Sequence, residues 1–359
     1  MSESVIQEKE VPKKHKLMSL LFVLLVLGLV IYLAFSNSDL KDAAGALKSL
    51  DPLWAAVALL CGLMYMAMDG FGLYIFFRRQ GYRIPMGTAL HMSLINLFYA
   101  NITPGSAGGQ PMVVFQLNKR GIPSGVATGG VVVRFFFNQL AVVVLTAVLY
   151  LTNRGFFYEH LHSVNGLVLV GFLVNFATIP IVLLATYKMP VMERFVNWIL
   201  RLFRRWIKNP EKVQSGVHTV LTAYQKSMLM MGRHPMNLLR QFLVSCIQML
   251  FLVGVVPCVY FALGQTGTTI PQLLMVALML FVSASYTPLP GASGAQEGGF
   301  LLYFRHIFTD GTVSIALLIW RFFTYYLFLF LGTGDTIITA LRKKRAARIE
   351  TEPVSEDAT

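Results

Sequence analysis

Six apolar runs of spanning length, at roughly residues 17–35, 53–77, 126–151, 165–187, 242–263 and 313–338, restrict this chain to a fold built inside a lipid bilayer. As a helix rising 1.5 Å per residue, each run is long enough to cross a hydrocarbon layer of ~30 Å. A helix satisfies its own backbone N–H and C=O groups, which hydrocarbon cannot do, so spanning helices are the form these runs take. Across 359 residues, 55% are hydrophobic and 13% charged, more apolar than a soluble core requires. The expected fold class is therefore an all-α polytopic membrane protein.

Two further segments, 88–117 and 272–308, are apolar at both ends and broken in the middle, the first by "ITPGSAGGQPM" (102–112) and the second by "YTPLPGASGAQEGG" (286–299). Each could cross as an interrupted helix, or enter and return as a re-entrant hairpin with arms of about 14 residues. Loop charge separates the two cases, because Lys and Arg accumulate on the cytoplasmic side. With Lys13, Lys14 and Lys16 inside, the Asp39/Asp42/Asp51 loop is outside and Arg78, Arg79 and Arg83 are inside. A full crossing by 88–117 would put Arg194, Arg201, Arg204, Arg205, Lys208, Lys212, Lys226 and Arg233 outside, against that rule. A hairpin entering from the cytoplasm returns Lys119, Arg120 and all of these inside. A second hairpin entering from the outer face likewise leaves "RKKRAAR" (342–348) inside. The charges favour about six full spans, two opposed hairpins and cytoplasmic termini in a multi-pass protein. The boundaries are a tail at 1–16, a membrane domain at 17–341 and a basic then acidic tail at 342–359. Inside that domain lie a first half at 53–151, a basic cytoplasmic linker at 188–240 and a second half at 242–338.

The two breaks match each other. Gly105-Ser-Ala-Gly-Gly-Gln110 and Gly291-Ala-Ser-Gly-Ala-Gln296 stand at one offset, both follow a Thr-Pro pair (Thr103-Pro104 and Thr287-Pro288), and Arg134-Phe-Phe and Arg321-Phe-Phe follow each at nearly the same distance. This reads as two homologous halves in opposite orientation, the construction of alternating-access transporters. A repeat can also be purely architectural. Non-helical backbone persists at membrane depth only where protein or a watery cavity satisfies it, and glycine lets that backbone approach a ligand. The candidate headgroup site is accordingly Asn101, Pro104, Gly105, Ser106, Gly108, Gly109 and Gln110 at the first break. Its counterpart is Pro288, Pro290, Gly291, Ser293, Gly294, Gln296 and Glu297. A proline-kinked, tightly packed helix pair is the alternative for either break alone.

Arg134 and Arg321 lie eight or nine residues inside their spans, and an intramembrane charge needs a partner. The expected pairs are Asp69–Arg134 in the first half and Glu297–Arg321 in the second, either of which can be purely structural. His91, Asn96, Tyr99, Asn138 and Gln139 add polar groups near the first break. In the linker, Phe195, Ile199, Leu202 and Trp206 recur at helical spacing beside Arg194, Arg201, Arg205 and Lys208, the pattern of a helix held on anionic inner-leaflet lipids.

Other functions are weakly supported. The net charge of +13 sits at the ends of apolar runs, so the positive-inside rule explains it without nucleic acid. Cys61, Cys246 and Cys258 fall in apolar runs without close pairs or neighbouring histidines, which suggests neither disulfides nor a metal site. The basic N-terminus precedes an apolar run too long for a signal peptide and is read as a retained span. No nucleophile–base constellation or Walker A loop stands out, and no cofactor is expected.

"NITPGSAGGQP", Arg134 and "PLPGASGAQEGG" together resemble the flippase-type transmembrane domain of bacterial lysylphosphatidylglycerol synthases, the multiple peptide resistance factors, and its free-standing relatives. The resemblance runs from the first span to about residue 340. It implies a bacterial plasma-membrane protein moving a phospholipid or lipid-linked headgroup between leaflets, in support of lysyl-phosphatidylglycerol metabolism and cationic peptide resistance. It implies importance for Pro104, Gly108, Gly109, Gln110, Arg134, Gly291, Gly294 and Glu297. Met112-Val113-Val114 stands where many relatives carry a basic residue. The lysyltransferase domain of the full-length synthases is not expected here. Two rival readings are an intramembrane lipid-modifying enzyme using Glu297 or Asp69 as base, and a scaffold for a separate synthase or glycosyltransferase.

Overall fold

The computed structural model describes residues 50–202, 210–285, 287–309 and 311–351. The expected tail at 1–16, the run at 17–35, linker residues Arg204, Arg205, Trp206 and Lys208, and positions 352–359 lie outside the described residues. Every regular element among the described residues is helical.

Proline and small polar residues set where the helices begin. Helix α1 (Pro52–Arg79) opens on proline, where the missing N–H has no helical partner to lose, and the Asp51 carboxylate accepts from the Leu53 N–H at 2.8 Å. Helices α2 (Met86–Ile102) and α3 (Gly109–Lys119) flank the first break, and α4 (Ser124–Thr152) follows. Short α5 (Arg154–His160) leads to α6 (Asn165–Tyr187), then α7 (Met189–Leu202) and α8 (Pro210–Gly232). Helix α9 (Pro235–Ala262) again opens on proline, whereas α10 (Ile270–Ala284) is started by a reciprocal cap between Thr269 and Gln272. The second break separates α10 from α11 (Ala295–Phe304). Helix α12 (Thr312–Arg321) passes through one π-helical turn, Phe322–Tyr326, into α13 (Leu327–Thr351).

Among the described residues, five stretches are long and apolar enough to cross a membrane: Pro52–Arg79, Ser124–Thr152, His162–Tyr187, Pro235–Ala262 and Thr312–Thr339. They coincide with five of the six apolar runs. Helix α10 is also apolar but has 15 residues, so it is shorter than a full crossing. Helix α6 exposes Leu169, Val170, Leu173 and Phe176, a face suited to lipid tails.

The buried apolar side chains form two clusters at opposite ends of the shared helices. One contains Leu73, Phe76 and Phe77 of α1 with Met92, Ile95, Val113 and Leu117 from the arms of the first break. The other contains Ala58 of α1, Val255, Val256 and Val259 of α9, and Leu278, Phe300 and Phe304 from the arms of the second. Each break therefore has its arms in a different core, and α1, α4 and α9 run between them. Helix α8 belongs to the first core, although its residues read as a surface linker. Tyr224, Met228 and Met231 recur on one face and are buried, and Gly129 of α4 lets Ser227 approach. Helix α7 retains the amphipathic character expected for it, with Val191, Phe195 and Trp198 exposed near Arg194 and Arg201.

Close backbone approach fixes α6 on α10. A Cβ at Gly171 would lie 2.6 Å from the Val282 carbonyl oxygen, so this contact admits glycine only. Gly171→Ala should therefore separate the two helices locally, costing about 1–3 kcal/mol as a lowered melting temperature in detergent. Gly166→Ala, where a Cβ meets nothing, should leave the melting temperature unchanged.

Candidate functional site

The two breaks come together between the two apolar cores. At the first, Pro104–Ser106 forms a single 3-10 turn in which Gly105 (φ 59°, ψ 22°) and Ser106 (φ 57°) are left-handed. At the second, Pro290–Ala292 does the same, with Gly291 (φ 57°, ψ 21°) and Ala292 (φ 52°). Ser106 and Ala292 are the only residues other than glycine with positive φ among those described. Such a conformation costs of order 1–3 kcal/mol and persists where the surroundings over-determine it. The matching residue of Pro104 is thus Pro290, at the same spacing as Gly105 to Gly291, while Thr287-Pro288 lies two residues earlier. The two turns touch, and the Tyr325 hydroxyl donates to the Asn101 carbonyl at 3.2 Å across the contact.

Each turn caps its following helix with different chemistry. The Gly108 N–H donates to Thr103 Oγ1 at 2.8 Å, and that hydroxyl donates to the Tyr99 carbonyl. At the corresponding position the Gly294 N–H, in a left-handed residue (φ 84°), donates to Glu297 Oε2 at 2.6 Å. Gly109 packs on Asn96, whose carbonyl oxygen would lie 2.5 Å from a Cβ. Ser293 turns its hydroxyl back to the Pro290 carbonyl. Gly108, Gly109, Ser293 and Gly294 shape the breaks and do not line the cavity.

Both arginines, Arg321 buried and Arg134 partly so, meet acids. The Arg134 guanidinium donates to the Asp69 carboxylate and to the Asp69 carbonyl, and Gln248 of α9 donates to Asp69 Oδ1 at 3.0 Å. Arg321 lies 2.6 Å from Glu297 Oε1 and also reaches Gln296 Oε1 at 3.1 Å and the Gly291 carbonyl at 3.4 Å. Asp69 and Arg321 are each 2% exposed and Glu297 9%. Desolvating charges this deeply is offset only by the partners they meet. Arg321 also stacks against the Trp320 and Tyr325 rings. The π-helical turn brings Tyr325 onto Gly291, where a Cβ would lie 2.1 Å from the ring.

Between the breaks lies a cavity of about 560 Å³. Of the residues expected at the site, Asn101, Gly105, Ser106, Gln110, Gly291, Gln296 and Arg321 line it, and Asn96, Asn138 and Gln139 join them. Asp69 and Arg134 line a smaller adjoining space of about 110 Å³, which shares Tyr65, Asn96, Gln110, Phe135 and Asn138 with the larger one. Pro104, Gly108, Gly109, Pro288, Pro290, Ser293, Gly294 and Glu297 do not line it. Sequence reasoning missed Tyr65, Trp320 and Tyr325. Tyr65 is one turn before Asp69, and Tyr325 follows Arg321 at the spacing by which Asn138 follows Arg134, so the matched spacing in the sequence held the signal. No cluster of three or more His, Cys, Asp or Glu residues able to hold a metal occurs among the described residues.

The family described as Lysylphosphatidylglycerol synthase TM region matches residues 19–332. A protein named "UPF0104 membrane protein" from Archaeoglobus fulgidus is 23% identical over 326 residues, covering 86% of this chain and 94% of that protein.

Removing one member of the inner ion pair leaves a buried charge alone. Arg321→Met should cost about 3–5 kcal/mol in thermal unfolding, and adding Glu297→Gln should return much of that loss. Equal melting temperatures for wild type and Arg321→Met would contradict the pairing.

Proposed function

The chain belongs to the lysylphosphatidylglycerol synthase transmembrane-region family, and from that premise we propose that it is a lipid translocase of the flippase type. It would move a phospholipid or lipid-linked headgroup between the leaflets of a bacterial cell membrane. The observation that carries this reading is the meeting of two like breaks at one polar cavity between two apolar cores. Spanning helices that only anchor or pack have no need of left-handed turns and paired arginines at that depth.

Under this reading the chain is an inverted repeat, with α2–α3 and α10–α11 as re-entrant hairpins entering from opposite faces. Supporting it are the nearly identical backbone angles at Gly105 and Gly291 and the arms that pack in different cores. The cavity holds the headgroup while the acyl chains remain among lipid, and movement of one half against the other alternates its exposure. The sequence carries no Walker A loop, and under this reading movement is downhill, ion-coupled or dependent on a partner such as a separate synthase or glycosyltransferase. A role in lysyl-phosphatidylglycerol metabolism or cationic peptide resistance belongs to this same proposal.

Purified protein in liposomes carrying a trace fluorescent lipid should expose inner-leaflet label to an added reductant, across a panel of headgroups. Ala107→Trp places a bulky ring at an exposed wall position, and should slow this at least about tenfold, near 1.4 kcal/mol of barrier, with the melting temperature preserved. Absence of protein-dependent movement for every lipid in the panel would overturn the proposal.

A further inference from the structure

The charges around the cavity are already committed to one another, which restricts what it can hold. Asp69 is engaged by Arg134 and Gln248, and Glu297 by Arg321 and the Gly294 N–H. Among the described lining residues Arg321 carries the only charge, and it is positive. The Trp320 and Tyr325 rings, whose faces would otherwise attract an ammonium, already lie against that guanidinium. A cationic headgroup would meet no carboxylate among the residues lining this cavity, and would lose its hydration there uncompensated.

The rest of the polar lining is neutral: six carboxamides, Asn96 and Asn101 of α2, Gln110 of α3, Asn138 and Gln139 of α4, and Gln296 of α11, together with hydroxyls such as those of Ser106, Ser285 and Thr324. Asn138 Oδ1 is buried with no hydrogen-bond partner in the protein. A buried acceptor left alone costs roughly 1–3 kcal/mol, so a ligand that donates to it is favoured. A carboxamide offers an acceptor oxygen beside two donor hydrogens, and each hydroxyl of a polyol both donates and accepts, so adjacent hydroxyls pair with such groups without any net charge. Tyr65, Phe135 and Trp320 contribute aromatic lining for the C–H faces of a polyol or sugar.

We propose that this cavity selects a hydroxyl-rich headgroup, a polyol or a sugar, and rejects a cationic aminoacylated one. The inference rests on the translocase reading for its location in transport, and names the substrate class of that same site. Neutral glycolipids and phosphate-linked polyol lipids share this chemistry.

The test presents the purified full chain with an equimolar mixture of dioleoyl lipids and reads, by native mass spectrometry, which remain bound. The mixture holds glucosyl-diacylglycerol, phosphatidylglycerol, phosphatidic acid, phosphatidylcholine and lysyl-phosphatidylglycerol. The two lipids with hydroxyl-bearing, uncharged terminal groups should be retained at least about tenfold over the lysyl and choline lipids. Glucosyl lipid held as well as phosphatidylglycerol supports a neutral glycolipid source; phosphatidylglycerol held above both glucosyl lipid and phosphatidic acid supports a phosphate-linked polyol. Asn138→Ala, and the exposed and structurally safer Gln110→Ala, should each reduce the preference severalfold. Phosphatidic acid or the lysyl lipid held equally, no lipid retained, or a preference unchanged in both variants overturns the proposal. Selective retention without transbilayer movement sinks the translocase reading alone, and movement that favours the lysyl lipid sinks this inference alone.

Discussion

A backbone that leaves the helix where water is scarce must still satisfy its N–H groups, and the two breaks are organised by that need. At Gly108 a neutral threonine hydroxyl meets it, relayed to the Tyr99 carbonyl. At Gly294 a carboxylate meets it, and a buried carboxylate brings a further requirement of its own. Arg321 answers that requirement, and its remaining donors then reach Gln296 and the Gly291 carbonyl, tying the turn to α12. One capping choice thus propagates into an ion pair, a stacked arginine and a fixed turn.

The position between two cores makes these polar groups tolerable. Each core holds its own ends of α1, α4 and α9, so the junction between them is where packing is interrupted. A cavity lined by carboxamides there leaves the apolar packing on either side undisturbed. Placed within a core, the same groups would each carry a desolvation cost of a few kcal/mol without partners.

Periodicity and length were enough to locate five spans, because hydrocarbon leaves the backbone few alternatives to a long helix. The repeat spacing located the breaks, and the depth of Arg134 and Arg321 located the need for acids, since an unpaired charge there is prohibitive. Less was legible in which residues face the cavity. Gly108, Gly109, Gly294 and Glu297 are as prominent in sequence as Gly105 and Gln110, yet they do not line it. Orientation depends on two left-handed residues in succession, Gly105-Ser106 and Gly291-Ala292, and nothing in a serine or alanine announces that conformation. The packing of helix α8 was hidden for a related reason: within the basic linker, Tyr224, Met228 and Met231 form a narrow apolar stripe that only a neighbouring helix could reveal.

The two arginines differ in what they connect. Arg321, Glu297, Gln296 and Gly291 all belong to the expected second half, so that charged network is internal to one unit. Arg134 and Asp69 belong to the first half, and only the neutral Gln248 side chain links them to the second, at 3.0 Å. The Tyr325 to Asn101 contact is the other polar bridge between the breaks, and it too is neutral on both sides. A neutral hydrogen bond contributes roughly 0.5–1.5 kcal/mol net, against about 3–5 kcal/mol lost on breaking a buried ion pair. In the proposed translocation, therefore, the halves can shift across apolar packing, these two neutral hydrogen bonds and the partly exposed His91–Asp335 contact at 2.9 Å while both arginine–carboxylate pairs remain whole, and a rigid-body mechanism needs that ordering of strengths.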